Sequence, residues 1–189
     1  MTYEEILAKL TAKLSLHRMQ HSLGVCATAV ELAARYGVDT EQARLAGILH
    51  DCAREIPNNH LLQMAESFGI VVNDIEVFVP FLLHAPVGAK LAQTEYGIKD
   101  QEIIDAIATH TVGGPTMGPL AKIIYLADLI EPGRSFPGVD KLRTLAKINL
   151  DDAVLAAYDQ SLEYLIRQGS FIHPATIAGR NCLLMNLRK

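Results

Sequence analysis

The chain has 189 residues, half of them apolar, with few aromatics and no Trp. That length can bury a core without disulfides or a structural metal. A net charge of −4 and a pI near 6.0 argue against a general nucleic-acid binder, which would normally show a basic face.

The start, MTYEEILAKL, is too polar and acidic for a signal peptide. It opens a first helix expected over 2–14. Apolar residues then recur at three- and four-residue spacing almost throughout, and no stretch alternates for long. The second helix, 18–36, closes at Gly37, a good left-handed cap. The third opens at Asp39, with Gln42 completing a capping-box pattern, and is expected to run to about Ala53. Pro57 opens a fourth helix ending near Gly69. A less regular stretch, 70–85, precedes a helix with Pro86 in its first turn and Gly97 just past its end.

Asp100 caps the next helix, which ends before Gly113-Gly114-Pro115. Another spans about 117–131 and stops at Pro132-Gly133. A loop, GRSFPGVD, leads to helices expected near 139–147, 151–168 and 174–187. The fold class is therefore all-α, a helical bundle in one domain over 1–189. No apolar run approaches the ~20 residues of a membrane span. Cys26, Cys52 and Cys182 lack a C-x-x-C pairing and sit in apolar helical patterns. They read as buried, reduced thiols of a soluble, cytoplasmic protein.

Ligand-capable residues fall on helix faces that otherwise bury hydrocarbon. His21 shares a face with Gly24, Val25 and Thr28, and His50 follows Ala43, Ala46 and Gly47. His110 completes Ile103, Ala106 and Ile107, and Asp128 lies one turn after Ile124. An unpaired carboxylate in a dry interior costs several kcal/mol, so Asp51 and Asp128 need a cation to offset desolvation. Imidazole with carboxylate is a ligand set for Fe, Mn, Co or Zn. His17 and His60 lack this context; His60 is expected to be exposed.

The order H…HD…D on separate helices resembles the HD-domain superfamily of metal-dependent phosphohydrolases. The words RMQHSLGVCATAVELA, LAGILHDCARE, AIATHTVGGPTMGPLAKIIYLADLIEPGR and HPATIAGRN resemble its bacterial YqeK branch over nearly the whole chain. The resemblance implies an HD fold, two iron ions, and symmetrical hydrolysis of diadenosine tetraphosphate to two ADP. It carries His21, His50, Asp51 and Asp128 over as the core metal set, and His84 and His110 as ligands of a second ion. Manganese, cobalt or zinc are expected substitutes for iron.

The catalytic residues would be His50, Asp51 and Asp128, with a metal-bound hydroxide attacking a β-phosphorus and Asp51 orienting it. Arg18, Arg54 and Arg134 are expected phosphate clamps, with Arg54 standing where the family commonly has Lys. Thr111 is a candidate hydroxyl donor to phosphate. Gly179 inside a helix implies a close approach, so either Thr176, Gly179, Arg180 and Asn181 cradle the nucleoside or its phosphates, or the C-terminal helix packs through Gly179. The expected partners are a dinucleoside polyphosphate and its nucleoside diphosphate product, with no membrane and no general nucleic acid; a homodimer is compatible. An HD-type nucleotidase or triphosphohydrolase acting on mononucleotides, or a non-catalytic nucleotide-binding protein, stay open as alternatives.

Overall fold

A computed structural model describes residues 1–189 as eleven α-helices and one 3-10 turn, with no strand. The helices are α1 Tyr3–Lys13, α2 Leu16–Tyr36, α3 Thr40–Leu49, α4 Asn58–Ser67, α5 Asp74–Phe78 and α6 His84–Thr94. They continue as α7 Gln101–Thr109, α8 Pro119–Ile130, α9 Val139–Leu145, α10 Leu150–Arg167 and α11 Pro174–Leu187.

Helix starts follow side-chain capping. Thr2 and Glu5 form a reciprocal capping box on α1. Ser15 accepts the Arg18 N–H, so α2 begins two residues before the expected 18. Asp39 accepts the Glu41 and Gln42 N–H groups, but the box is only half made. The Gln42 amide turns away and donates to Asp100 Oδ2 at 2.7 Å. Since Asp100 also caps α7, the starts of α3 and α7 are tied together. Gly37 closes α2 with φ +69°, as expected of that residue.

Two expected elements differ. The third helix ends at Leu49 rather than Ala53, and residues 50–56 continue as tight i→i+3 turns such as Cys52 N–H to Leu49 O. The stretch expected to be irregular, 70–85, contains α5 and the 3-10 turn Pro80–Leu83, and His84 is the first residue of α6. An Asn73–Glu76 capping box starts α5, a signal hidden by its five-residue length.

At the centre, α2 packs on α3 and α8, and α7 packs on α3, α6 and α8. The small residue Gly47 sets the first contact: a Cβ there would lie 2.8 Å from the Cys26 Cα. Helices α9 and α10 cover α8, and α11 lies on α10. One continuous hydrophobic cluster of 44 buried residues joins these layers. Cys26 and Cys52 lie within it, whereas Cys182 is only half-buried, against expectation. His17 and His60 are exposed. No helix is long and apolar enough to cross a membrane.

Candidate metal centre

Where α2, α3, α6, α7 and α8 cross, four imidazoles meet two carboxylates. His21 projects from the middle of α2 and Asp128 from the last turn of α8. His50 and His110 are the residues directly after α3 and α7, and His84 opens α6. All four histidines and Asp51 are buried, and Asp128 is half-buried.

Asp51 stands at the hub. Its Oδ1 lies 3.2 Å from His84 Nε2 and 3.5 Å from His110 Nε2. Its Oδ2 lies 2.6 Å from Arg18 Nη1, 3.5 Å from His50 Nε2 and 3.8 Å from His21 Nε2. Asp128 Oδ1 lies 3.0 Å from His21 Nε2 and 2.5 Å from Arg134 Nη2. The Nε2 atoms also face one another, at 3.3 Å for His21–His50 and 3.2 Å for His84–His110.

The opposite ring nitrogens show how the cluster can turn its Nε2 atoms toward a cation. Each Nδ1 faces an oxygen: Gly47 O for His50, Phe81 O for His84, Ile107 O for His110 and the Glu131 carboxylate for His21. A neutral imidazole carries one proton. With one proton committed to Nδ1, each Nε2 can offer a lone pair, so four imidazoles and two carboxylates can converge on a cation in place of the protons that link them without one. The donor set fits a divalent cation, and three overlapping groups of ligand atoms, His21/His50/Asp51, His50/His110/Asp128 and Asp51/His84/His110, lie within 4.8 Å of one another.

The electrostatics agree. Burial pushes the Asp51 carboxyl up, but the His50 charge and hydrogen bonds from His110, His50 and His84 outweigh it and hold it well below the usual carboxylate range. Asp128 is likewise held low despite burial, by His21, His50, His110 and Arg134. Burial pushes His50 down, yet Asp51 and Asp128 carry it above the ordinary imidazole value. The pair of carboxylates draws positive charge to this point, and a metal ion satisfies the same demand. Burial lowers His84, which favours the neutral, ligating form.

Above the cluster opens a cavity of about 170 Å³. Arg18, Arg54 and Arg134 line it together with Asp51, Asp128, His84, Thr111 and Phe81. The Arg54 guanidinium lies over the Phe81 ring, 5.1 Å from its centroid. Thr111 Oγ1 lies 3.1 Å from His84 Nε2 and 3.0 Å from His110 Nε2, at the ligand nitrogens themselves. Ser15 and Glu55 pin the turn after Asp51 to the start of α2, which brings Arg18 and Arg54 to one mouth.

The C-terminal segment lies elsewhere, because none of Thr176, Gly179, Arg180 or Asn181 lines this cavity. Thr176 donates to Val112 O, behind the loop that follows His110. A Cβ on Gly179 would stand 2.4 Å from Tyr158 Oη and 2.9 Å from Gly114 O, so helix packing accounts for this glycine. Arg180 pairs with Asp159 of α10, and Asn181 is exposed.

Two contributors escape the sequence pattern. Glu131 is buried and touches His21, although it stands one turn beyond Asp128 at the start of a Pro-Gly turn. Arg143 of α9 donates to the carbonyls of Ile130, Glu131 and Arg134, fixing the end of α8. The Asp128/Glu131 spacing of three was the available signal for Glu131; Arg143 had none.

An all-helical bundle with a buried His/Asp cluster under an arginine-lined mouth defines a metal-binding domain of the phosphohydrolase kind. The chain belongs to the HD domain family, whose model matches residues 18–133. It is 42% identical to the Halalkalibacterium halodurans protein named bis(5'-nucleosyl)-tetraphosphatase, symmetrical, over 91% of both chains. It is 40% identical to the Bacillus subtilis protein of the same name, over 97% of this chain and 98% of that one. A Clostridium acetobutylicum crystal structure, described as a predicted HD superfamily hydrolase involved in NAD metabolism, superposes with a TM-score of 0.96 at 42% identity, covering 98% of both chains.

Proposed function

We propose that this protein is a metal-dependent hydrolase that cleaves diadenosine tetraphosphate and related dinucleoside polyphosphates symmetrically into two nucleoside diphosphates. The observation that carries the reading is the convergence of four imidazole Nε2 atoms on Asp51 beneath three arginines. The names of the relatives supply the substrate class.

His21, His50, Asp51 and Asp128 would hold one divalent ion, with Asp51, His84 and His110 completing a second; iron is the proposed metal. When bound, such ions make water acidic enough to attack at neutral pH and draw electron density from phosphoryl oxygens. Arg18, Arg54 and Arg134 bind the polyphosphate, whose charge matches their guanidinium groups. A cavity of about 170 Å³ takes a phosphoryl group but not a nucleoside, for which pockets of ~300–1,000 Å³ are usual, so both nucleosides extend outward. Asp51, in contact with every histidine, orients the attacking water in line with a β-phosphorus. The new O–P bond forms as the attacked β-phosphorus loses its bond to the central bridging oxygen, and one ADP leaves carrying that oxygen on its terminal phosphate. The other ADP carries the oxygen from water. The whole chain works as one domain, a reading supported by its continuous core, and the cytoplasm is its proposed location.

The test offers diadenosine tetraphosphate and a panel of mononucleotides to protein stripped of metal and reloaded with Fe(II), Mn(II) or Zn(II). ADP as the only nucleotide product, with label from water in half of it, is expected. ATP plus AMP, faster turnover of mononucleotides, or full activity in metal-free protein would overturn the reading.

A further inference from the structure

Three of the four histidines find their Nδ1 acceptor on the backbone, and the fourth cannot. His50 and His110 follow the last residues of α3 and α7, where carbonyls one turn back have no helical partner. Their Nδ1 atoms take those carbonyls, Gly47 O at 2.8 Å and Ile107 O at 2.7 Å. His84 does the same at the end of the 3-10 turn, with Phe81 O. His21 sits inside α2, where the preceding carbonyls are committed to the helix. Only a side chain can serve it.

Glu131 is that side chain. Its Oε1 lies 3.1 Å from His21 Nδ1, and its Oε2 accepts the Gly133 N–H. The carboxylate is buried in a slot made by two glycines. A Cβ on Gly24 would lie 2.6 Å from Oε2, and one on Gly133 2.9 Å from Oε1. Arg143 holds the backbone on either side of it. Both carboxylate oxygens therefore face N–H donors and cannot rotate away.

We infer that Glu131 is a positioning residue: it locks His21 in the Nδ1–H tautomer, so that Nε2 is free to ligate, and makes that ring the most electron-rich of the four ligands. The ion bound by His21, His50 and Asp128 is then held more tightly than one bound by His84 and His110, whose rings lean on neutral carbonyls. This inference rests on the metal reading above.

Glu131→Gln separates the roles. Gln has one carbonyl oxygen for two N–H donors, so either its amide NH2 opposes Gly133 N–H or it opposes His21 Nδ1. The second arrangement stabilises the wrong tautomer. Zn(II) titration of the full-length variant is expected to show ~10–100-fold weaker binding of the tighter ion, with the helical circular dichroism unchanged. Gly24→Ala, which displaces the carboxylate without removing its charge, should weaken the same ion. In the wild-type chain, long-range proton–nitrogen NMR of the metal-free protein is expected to report Nδ1–H on His21. Wild-type Zn(II) affinity in Glu131→Gln, or an Nε2–H tautomer in the wild type, would overturn the inference. Failure of the wild-type protein to bind Zn(II) would instead strike the metal reading, and the tautomer measurement would still decide the role of Glu131.

Discussion

At the scale of single residues, the centre depends most on Asp51. Its two oxygens divide the cluster, one toward His84 and His110, the other toward Arg18, His50 and His21. Asp51→Asn keeps the shape and removes the charge that burial otherwise disfavours. Metal affinity should fall by at least the ~10–100-fold typical of lost outer partners, and turnover should fall with it. Metal analysis and ADP release on the same preparation check this, and an unaltered turnover would sink the assignment. His21, His50, His110 and Asp128 are legible in the sequence because each falls on a helix face that otherwise buries hydrocarbon, and Asp51 is legible as the carboxylate beside His50. His84 is not legible that way, since it lies at a helix start within a stretch lacking clear periodicity. Glu131 looks like an ordinary polar residue ending a helix. Its burial comes from Gly24, 107 positions away in sequence and brought near only when α2 packs on α8.

At the scale of helices, the spacing between α2 and α3 sets the distance between His21 and His50. Gly47 permits that spacing, because a Cβ there would reach the Cys26 backbone, which cannot yield as a flexible side chain would. Gly47→Ala should spread the two helices, costing about 1–3 kcal/mol as core overpacking does. Urea denaturation measures the cost, and metal titration should show a parallel loss, as the 3.3 Å approach of the two Nε2 atoms opens. Wild-type values of both would exclude this role for the glycine. Most helices are readable from period and punctuation, but the end of α3 is not. The apolar pattern continues through Ala53, and the chain tightens after Leu49 because Asp51 must turn inward. Likewise Gly179 announces a close approach, yet the sequence cannot say to what. The neighbours are Tyr158 of α10 and the Gly114 carbonyl.

At the scale of the whole molecule, metal and fold are linked without being the same event. The core of 44 buried residues holds the bundle together without ligands, so removal of metal should leave a cooperative, helical protein. The bound ion still adds stability, because it binds only the folded arrangement. At ~100 times its dissociation constant it contributes about 2.7 kcal/mol. For a chain of this length that raises the melting temperature by roughly 5–11 °C. Calorimetry with and without chelator measures the difference; coincident transitions would show that the cluster does not bind metal in the native state.

Because Gln42 ties the start of α3 to the cap of α7, while His50 and His110 meet at their far ends, the two helices run in the same direction. Helix α8 also finishes at the cluster, through Asp128. Peptide dipoles add along a helix to roughly half a negative charge at its C-terminal end. Three such ends aim at one spot, a field that draws cations in and pushes phosphate away. Helix α6 begins at the same place, with His84 as its first residue, and sets one positive helix end against these three negative ones. Attraction of a polyphosphate falls chiefly to the arginine mouth, and a cation held by the cluster would add to it.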